Sequence, residues 1–135
     1  MSEYIIATHS YLAEGYHKSI SFFNDALTNV HYINAYVDGQ KPFTDQLKEK
    51  IIDLKGNQII ILTDLPGGSV NKEALALIKK FDCKVISGIN LSLVLELVMS
   101  GKESLTDKEI NAAVKQSRQQ IVYINDLLKE DDLDD

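Results

Sequence analysis

The stretch QIIILTDLPGGSVN, residues 58 to 71, contains the signals that decide the fold. It begins with a run of β-branched and aliphatic residues that has the length of a buried strand. Asp64 follows this run, and a Pro-Gly-Gly turn then leads to Ser69, the expected N-cap of a helix. A buried strand that passes through a short turn into a helix is the repeating unit of a parallel sheet.

The same unit recurs along the chain. Three further β-branched runs occupy residues 4–8, 30–37 and 84–90. The segments between the runs carry apolar residues at helical spacing. These residues are Leu12, Tyr16, Ile20, Phe23 and Leu27; Phe43, Leu47, Ile51 and Leu54; Val70, Ala74, Leu77, Ile78 and Phe81. The alternation predicts an α/β fold with a doubly wound, mostly parallel sheet, helices on both faces and a strand order such as 2-1-3-4.

The C-terminal part predicts one helix and one more strand. Thr106 and Glu109 have the spacing of a capping box, so a helix is expected to begin there. IVYIN, residues 121–125, is predicted to form a short antiparallel fifth strand. Residues 1–129 are expected to form a single domain, and residues 130–135 a solvated acidic tail.

Composition excludes several classes of function. The 135-residue chain has a net charge of −6, which argues against binding to nucleic acid or anionic lipid. Because no apolar run approaches the roughly 20 residues of a membrane span, and no signal peptide is apparent, a cytoplasmic chain is expected. Cys83 is the only cysteine, so no internal disulfide can form.

His9 and Asp64 follow two strands that the predicted order makes neighbours. In sheets of this kind, ligands bind outside the carboxyl ends of the strands, where the strand order reverses. We therefore expect the imidazole and the carboxylate to face one crevice. Gly67 and Gly68 would turn backbone N–H groups inward before a helix start, which favours an anion such as a phosphoryl group.

A histidine, a carboxylate and an anion-binding turn together indicate a histidine that carries a phosphoryl group. The carboxylate would fix the tautomer and leave the other ring nitrogen free to attack. The chain contains no G-x-S-x-G of a serine hydrolase and no P-loop. It also lacks a glycine-rich turn after the first strand and the paired acidic residues of a receiver domain. The histidine and cysteine spacing supports no metal site, and no cofactor is expected.

These residues resemble the IIA domain of the mannose/fructose/sorbose class of the bacterial sugar phosphotransferase system. The resemblance covers nearly the whole chain and is carried by ATHS, TDLPGGSVN and SGINLSLVLELV. It implies that His9 is phosphorylated by HPr and passes the phosphoryl group to a IIB protein, with membrane subunits IIC and IID downstream. It further implies a homodimer in which the fifth strand joins the partner's sheet.

Asp64 would orient His9, and Ser69 and Thr8 would contact the phosphoryl group. Ala7, Ser10 and Ser92 depart from the family pattern, in which glycine is usual at the first two positions and proline at the third. Two alternatives stay open: a subunit that feeds dihydroxyacetone kinase, and a non-catalytic regulatory module of the same fold.

The remaining polar candidates have plainer interpretations. His17 is expected to be a solvated helix residue, and His31 either a packing residue or an exposed edge residue of the second strand. Asn90 ends the fourth strand, where it could bond the loops of the crevice or simply form a turn. The apolar residues between 91 and 99 are expected to be core or dimer contacts, with an exposed docking surface as the alternative.

Overall fold

A computed structural model describes residues 2–66 and 69–134, and for Ser69, Asn71 and residues 130–134 it describes the backbone alone. Strands and helices alternate as predicted through the first four strands. The elements are β1 Ser2–His9, α1 Leu12–Phe23, β2 Val30–Ala35, α2 Phe43–Asp53, β3 Gln58–Thr63, α3 Ser69–Phe81, β4 Lys84–Ser87, α4 Leu91–Val98, α5 Asp107–Arg118 and α6 Ile124–Asp134.

The four strands form one parallel sheet in the order β2-β1-β3-β4, which confirms the predicted topology. β1 lies in the centre and pairs with both β2 and β3. Its register aligns Ala7 with Thr63 of β3 and His9 with Ala35 of β2. The carboxyl ends of these three strands therefore meet at the same edge of the sheet.

Two apolar cores lie on opposite faces of the sheet. Alternate β1 side chains enter different cores, because successive strand residues point to opposite faces. Tyr4 and Ile6 belong to the core with residues of α1, α4 and α5, whereas Ile5 and Ala7 belong to the core with residues of α2 and α3. β1 is covered on both sides, which explains why its residues 4–7 form a continuous apolar run.

The predicted capping box at the start of α5 is confirmed. The Thr106 hydroxyl accepts the Glu109 N–H at 3.1 Å, and the Glu109 carboxylate accepts the Thr106 N–H at 3.0 Å. Lys102 also binds the Glu109 carboxylate. That hydrogen bond and those from Thr106 lower the pKa of Glu109 to about 2.

α4 was not predicted as a helix. Four of its side chains are buried, which agrees with the expected core role of this apolar segment: Leu93, Val94, Leu97 and Val98. The Asn90 side chain caps the helix by accepting the Leu93 N–H at 2.9 Å. Its amide also donates to the Ser117 carbonyl at 3.0 Å, so Asn90 joins α4 to the last turn of α5.

Cys83 lies at the edge of the second core, between α3 and β4. Its side chain is buried, and this burial, together with the charge of Asp82, raises the pKa of the thiol to about 11. The residue thus has the properties of a small core side chain.

The predicted fifth strand is wrong for this chain. Residues 121–123 have no regular secondary structure, and α6 begins at Ile124 and continues through the segment expected to be a solvated tail. A short β-branched run becomes a strand only when a sheet edge is available to it, and here the run continues into apolar residues at helical spacing. These side chains are exposed: Ile121, Val122, Tyr123, Ile124, Leu127 and Leu128.

Among the described residues, no helix has the length and apolar content that crossing a membrane requires.

Candidate functional site

His9 and Asp64 meet at the carboxyl edge of the sheet, as predicted. The Nδ1 atom of His9 lies 3.1 Å from one carboxylate oxygen of Asp64 and 3.2 Å from the other. The imidazole is 37% exposed, whereas the carboxylate is 12% exposed. The carboxylate therefore occupies the inner side of the ring, which leaves Nε2 as the nitrogen available to a reaction partner.

Asp64 also binds the backbone of β1. The His9 N–H donates to the second carboxylate oxygen at 3.1 Å. β3 ends at Thr63, one residue before Asp64, so the side chain takes the place that a strand carbonyl would have in a longer ladder. The same carboxylate accepts the Leu65 N–H at 3.1 Å. These bonds fix the carboxylate before any partner approaches.

Tyr16 of α1 lies close enough to the site to sense this charge. Burial of its phenol, and secondarily the negative charge of Asp64, raise the pKa of Tyr16. Tyr16 packs against the core that contains residues of α1, α4 and α5.

Thr8 is placed differently from its expected role as a phosphate contact. Its side chain is fully buried, and its hydroxyl accepts the Ala13 N–H at 2.6 Å. The hydroxyl therefore satisfies a donor in the first turn of α1 and holds that turn against the end of β1. The phosphate contact of Thr8 stays a prediction that this position does not favour.

The first N–H groups of α1 already have neutral acceptors. The Glu14 N–H donates to the Asn34 side chain at 3.2 Å, and the Gly15 N–H donates to the Tyr11 carbonyl at 3.1 Å. With the Ala13 N–H bound to Thr8, this helix start has little left to offer an anion. α3 is then the helix whose start can serve the crevice.

The predicted anion-binding turn lies only partly within the structure. Gly67 and Gly68 lie outside the described residues, and Ser69 is described by its backbone, as the first residue of α3. Pro66, just before this turn, packs near Gly88, where an added Cβ would lie 3.7 Å from the proline ring. Gly88 has a φ of +74°, so the loop after β4 closes against the turn after β3.

Sequence reasoning missed an aromatic neighbour of His9. The Tyr36 ring centroid lies 5.8 Å from that of His9, with 33° between the planes. Tyr36 follows β2 directly, and its φ of +61° is unusual for a bulky residue. The sequence could have indicated this neighbour, because Tyr36 comes directly after β2 and β2 is adjacent to β1 in the predicted strand order.

The other two histidines lie apart from this site. His17 is exposed on α1 and stacks on Tyr32 with ring centroids 4.4 Å apart. Nε2 of His31 lies 2.9 Å from the Glu3 carboxylate. Both positions agree with the plainer interpretations expected for them.

Comparison with known proteins identifies the family. Residues 3–115 match the family model described as PTS system fructose IIA component. Since this match spans most of the chain, the protein belongs to that family of phosphotransferase-system IIA components, as the resemblance indicated. A search of curated proteins finds no significant match.

Solved structures agree with this assignment. A structure described as a phosphoenolpyruvate-dependent sugar phosphotransferase system permease, from Klebsiella pneumoniae, superposes with a TM-score of 0.84 at 28% identity, over 94% of this chain and 93% of that one. The phosphotransferase system component EIIA of Streptococcus agalactiae gives 0.77 at 25% identity, over 93% and 98%. A mannose/sorbose-specific IIA subunit from Enterococcus faecalis shares the fold, with a TM-score of 0.76 at 22% identity, over 90% and 92%.

The buried Thr8 hydroxyl gives a test of how α1 is attached to the site. Thr8→Val replaces the hydroxyl with a methyl group and leaves the buried Ala13 N–H without its acceptor. We expect the free energy of unfolding to fall by about 1–3 kcal/mol, as measured by urea denaturation. Thr8→Ser keeps an acceptor and is the matched control. Equal stability of the valine and serine variants would contradict the capping role.

Proposed function

We propose that this IIA component is a phosphocarrier in which Nε2 of His9 accepts a phosphoryl group from phosphorylated HPr and passes it to a IIB protein. The observation that carries the proposal is the contact of the inner ring nitrogen of His9 with both oxygens of a fixed Asp64 carboxylate. This contact commits one nitrogen to the carboxylate and presents the other to a partner.

The transfer needs no co-reactant beyond the two proteins. The Nε2 lone pair attacks phosphorus, the bond from phosphorus to the donor breaks, and its electron pair stays with the donor. The proton on Nδ1 remains between the ring and Asp64 throughout. The reverse sequence, with IIB as the attacking partner, regenerates the neutral imidazole.

Asp64 would act on both orientation and charge. By accepting a hydrogen bond from Nδ1–H, the Asp64 carboxylate selects the tautomer with a free lone pair on Nε2. It also stabilises the positive charge that the ring acquires when Nε2 is phosphorylated. Because His9 is more exposed than Asp64, the reacting nitrogen can meet a protein partner while the carboxylate stays shielded.

Gly67, Gly68 and Ser69 are proposed to hold the phosphoryl oxygens. They precede or begin α3, whose N-terminus carries partial positive charge. Backbone N–H groups at this helix start would hold the phosphoryl group without an ion pair to a flexible cation. Such binding suits a phosphoryl group that is later passed to another protein.

The downstream pathway follows from the family. A sugar-specific IIB protein is the proposed acceptor, and the membrane subunits IIC and IID are proposed to act after it. A cytoplasmic location is part of this proposal. A subunit feeding dihydroxyacetone kinase is not favoured, because the matching family is that of sugar-system IIA components. A non-catalytic module of the same fold is the alternative that the following experiment decides.

His9 should be the single phosphorylated residue. We expect incubation with phosphoenolpyruvate, enzyme I and HPr to add one acid-labile phosphoryl group per chain, measured by intact-mass spectrometry before and after acid treatment. His9→Ala should fold and take no label, since the imidazole lies at the rim of the sheet. His17→Asn and His31→Asn are the matched controls and should be labelled normally. A folded His9→Ala protein that still gains the group would refute the proposal, and an unlabelled native protein would favour the non-catalytic module.

Neutralising Asp64 should separate rate from folding. Asp64→Asn keeps the shape of the side chain but removes the charge and the preference for the Nδ1–H tautomer. We expect phosphoryl transfer from phosphorylated HPr to slow by roughly two to four orders of magnitude, as followed by rapid-quench labelling, with an unchanged circular dichroism spectrum. Asp53→Asn, which removes an exposed carboxylate at the end of α2, is the control. A native transfer rate in the Asn variant would remove Asp64 from the mechanism.

We further propose that the protein is a homodimer held through residues 121–128. The apolar side chains of this segment are exposed in the single chain, from 43% for Leu127 to 79% for Ile121. A cluster of this kind on an amphipathic helix and its leading segment is typical of a surface covered by another copy.

Removing the segment should abolish the dimer. We expect a chain lacking residues 119–135 to sediment as a monomer or to aggregate, whereas a chain lacking only the acidic residues 130–135 should sediment as the dimer. Analytical ultracentrifugation at several concentrations distinguishes these cases. A soluble dimer that survives the longer deletion would show that the contact lies elsewhere.

A further inference from the structure

Tyr36 combines an unusual backbone with an unusual exposure. It adopts a φ of +61°, a conformation that glycine, asparagine and aspartate tolerate far better than an aromatic residue. Its side chain is 53% exposed. Neither the turn nor the core accounts for a tyrosine at this position, and such outliers concentrate at functional sites.

The surroundings of Tyr36 hold its ring beside His9. Its hydroxyl donates to the Glu73 carboxylate of α3 at 3.3 Å, and the Thr44 hydroxyl of α2 donates to the other carboxylate oxygen at 2.7 Å. The ring also packs at 6.1 Å from that of Phe43. Tyr36 is thus attached to both helices on its side of the sheet.

The backbone at the ends of β1 and β2 also helps to place Tyr36 beside His9. Ser10 follows His9 and adopts a φ of +55°, and its N–H donates to the Ala35 carbonyl at 2.9 Å. Ser10 and Tyr36, which follow the paired ends of β1 and β2, are both left-handed, and Ser10 is bonded to the residue before Tyr36. Strand pairing therefore fixes the spacing of the two backbone segments that carry the His9 and Tyr36 rings.

Phosphorylation changes the charge of the ring that lies beside Tyr36. The imidazole is neutral before Nε2 attacks, and afterwards it carries a proton on Nδ1 and a phosphoryl group on Nε2, so the ring becomes cationic. An aromatic face within about 6 Å of a cation attracts it. Asp64 contacts the edge of the imidazole, while Tyr36 lies 5.8 Å away with its plane only 33° from that of the imidazole.

We propose that Tyr36 is a positioning residue of the phosphocarrier site, whose ring favours the phosphorylated form of His9, in which the imidazole ring is cationic, over the unphosphorylated form with a neutral ring. This inference rests on the proposed function. It adds a thermodynamic role, because the ring shifts the equilibrium of phosphoryl transfer toward this protein.

The test is the equilibrium between phosphorylated HPr and this protein. Known amounts of the two proteins are mixed, and the 31P signals of both phosphorylated forms are integrated. We expect Tyr36→Leu to lower the equilibrium constant by about two- to fivefold, the size of a partly exposed cation–π contact. Tyr36→Asn removes the ring, but asparagine tolerates the left-handed backbone and should keep the turn intact. It should therefore lower the equilibrium constant by the same factor. Tyr36→Phe keeps the aromatic face and should retain the native constant.

Controls separate this role from a structural one. Phe22→Leu removes an aromatic ring that is 84% exposed on α1 and should leave the constant unchanged. A merely structural Tyr36 would alter the thermal unfolding midpoint of its variants without moving the equilibrium. Folded Leu and Asn variants with the native constant would overturn the inference. A Phe variant as impaired as the Leu variant would also overturn it, since the hydroxyl bond to Glu73 would then be the determinant. A native protein that accepts no phosphoryl group would instead refute the proposed function itself.

Discussion

The parallel pairing of β1 with β3 is the constraint on which the site depends. It brings together two residues that are 55 positions apart, because the register that aligns Ala7 with Thr63 leaves His9 and Asp64 at the same edge of the sheet. The pairing is protected by apolar cores on both faces. A shift of one residue would exchange the side chains of the two faces. Burial of the correct apolar side chains therefore fixes the register, and the register in turn fixes the positions of His9 and Asp64.

Asp64 extends this constraint beyond the last paired residue. Its carboxylate accepts the backbone N–H of His9 and also contacts the ring of the same residue. A single side chain thus terminates the ladder and orients the imidazole. A group held in this way loses little conformational entropy when a partner arrives, which suits the proposed transfer of a phosphoryl group between proteins.

Much of the fold and the proximity of His9 to Asp64 could be predicted. The spacing of apolar residues indicates which segments are buried strands and helices, and their alternation limits the possible strand orders of the sheet. α4 escaped prediction because it has only eight residues and six of them are apolar, so periodicity does not distinguish it from a short buried strand. The strand proposed for residues 121–125 was wrong because a short β-branched run does not reveal which edge would pair with it. The proximity of Tyr36 to His9 depends on a left-handed backbone for which tyrosine gives no local signal.

The separation of the two cores by the sheet has a consequence for how the protein can vary. Tyr36, Glu73 and the start of α3 belong to the α2 and α3 face, whereas Thr8 and Tyr16 connect the site to the α1 face. The sheet separates the two faces, and β1 and β3 contribute alternate side chains to both, so substitutions in the helices of one face should add independently to substitutions in those of the other. Lineages of this protein could therefore remodel the surface offered to a new partner on one side while inheriting the chemistry of the other unchanged.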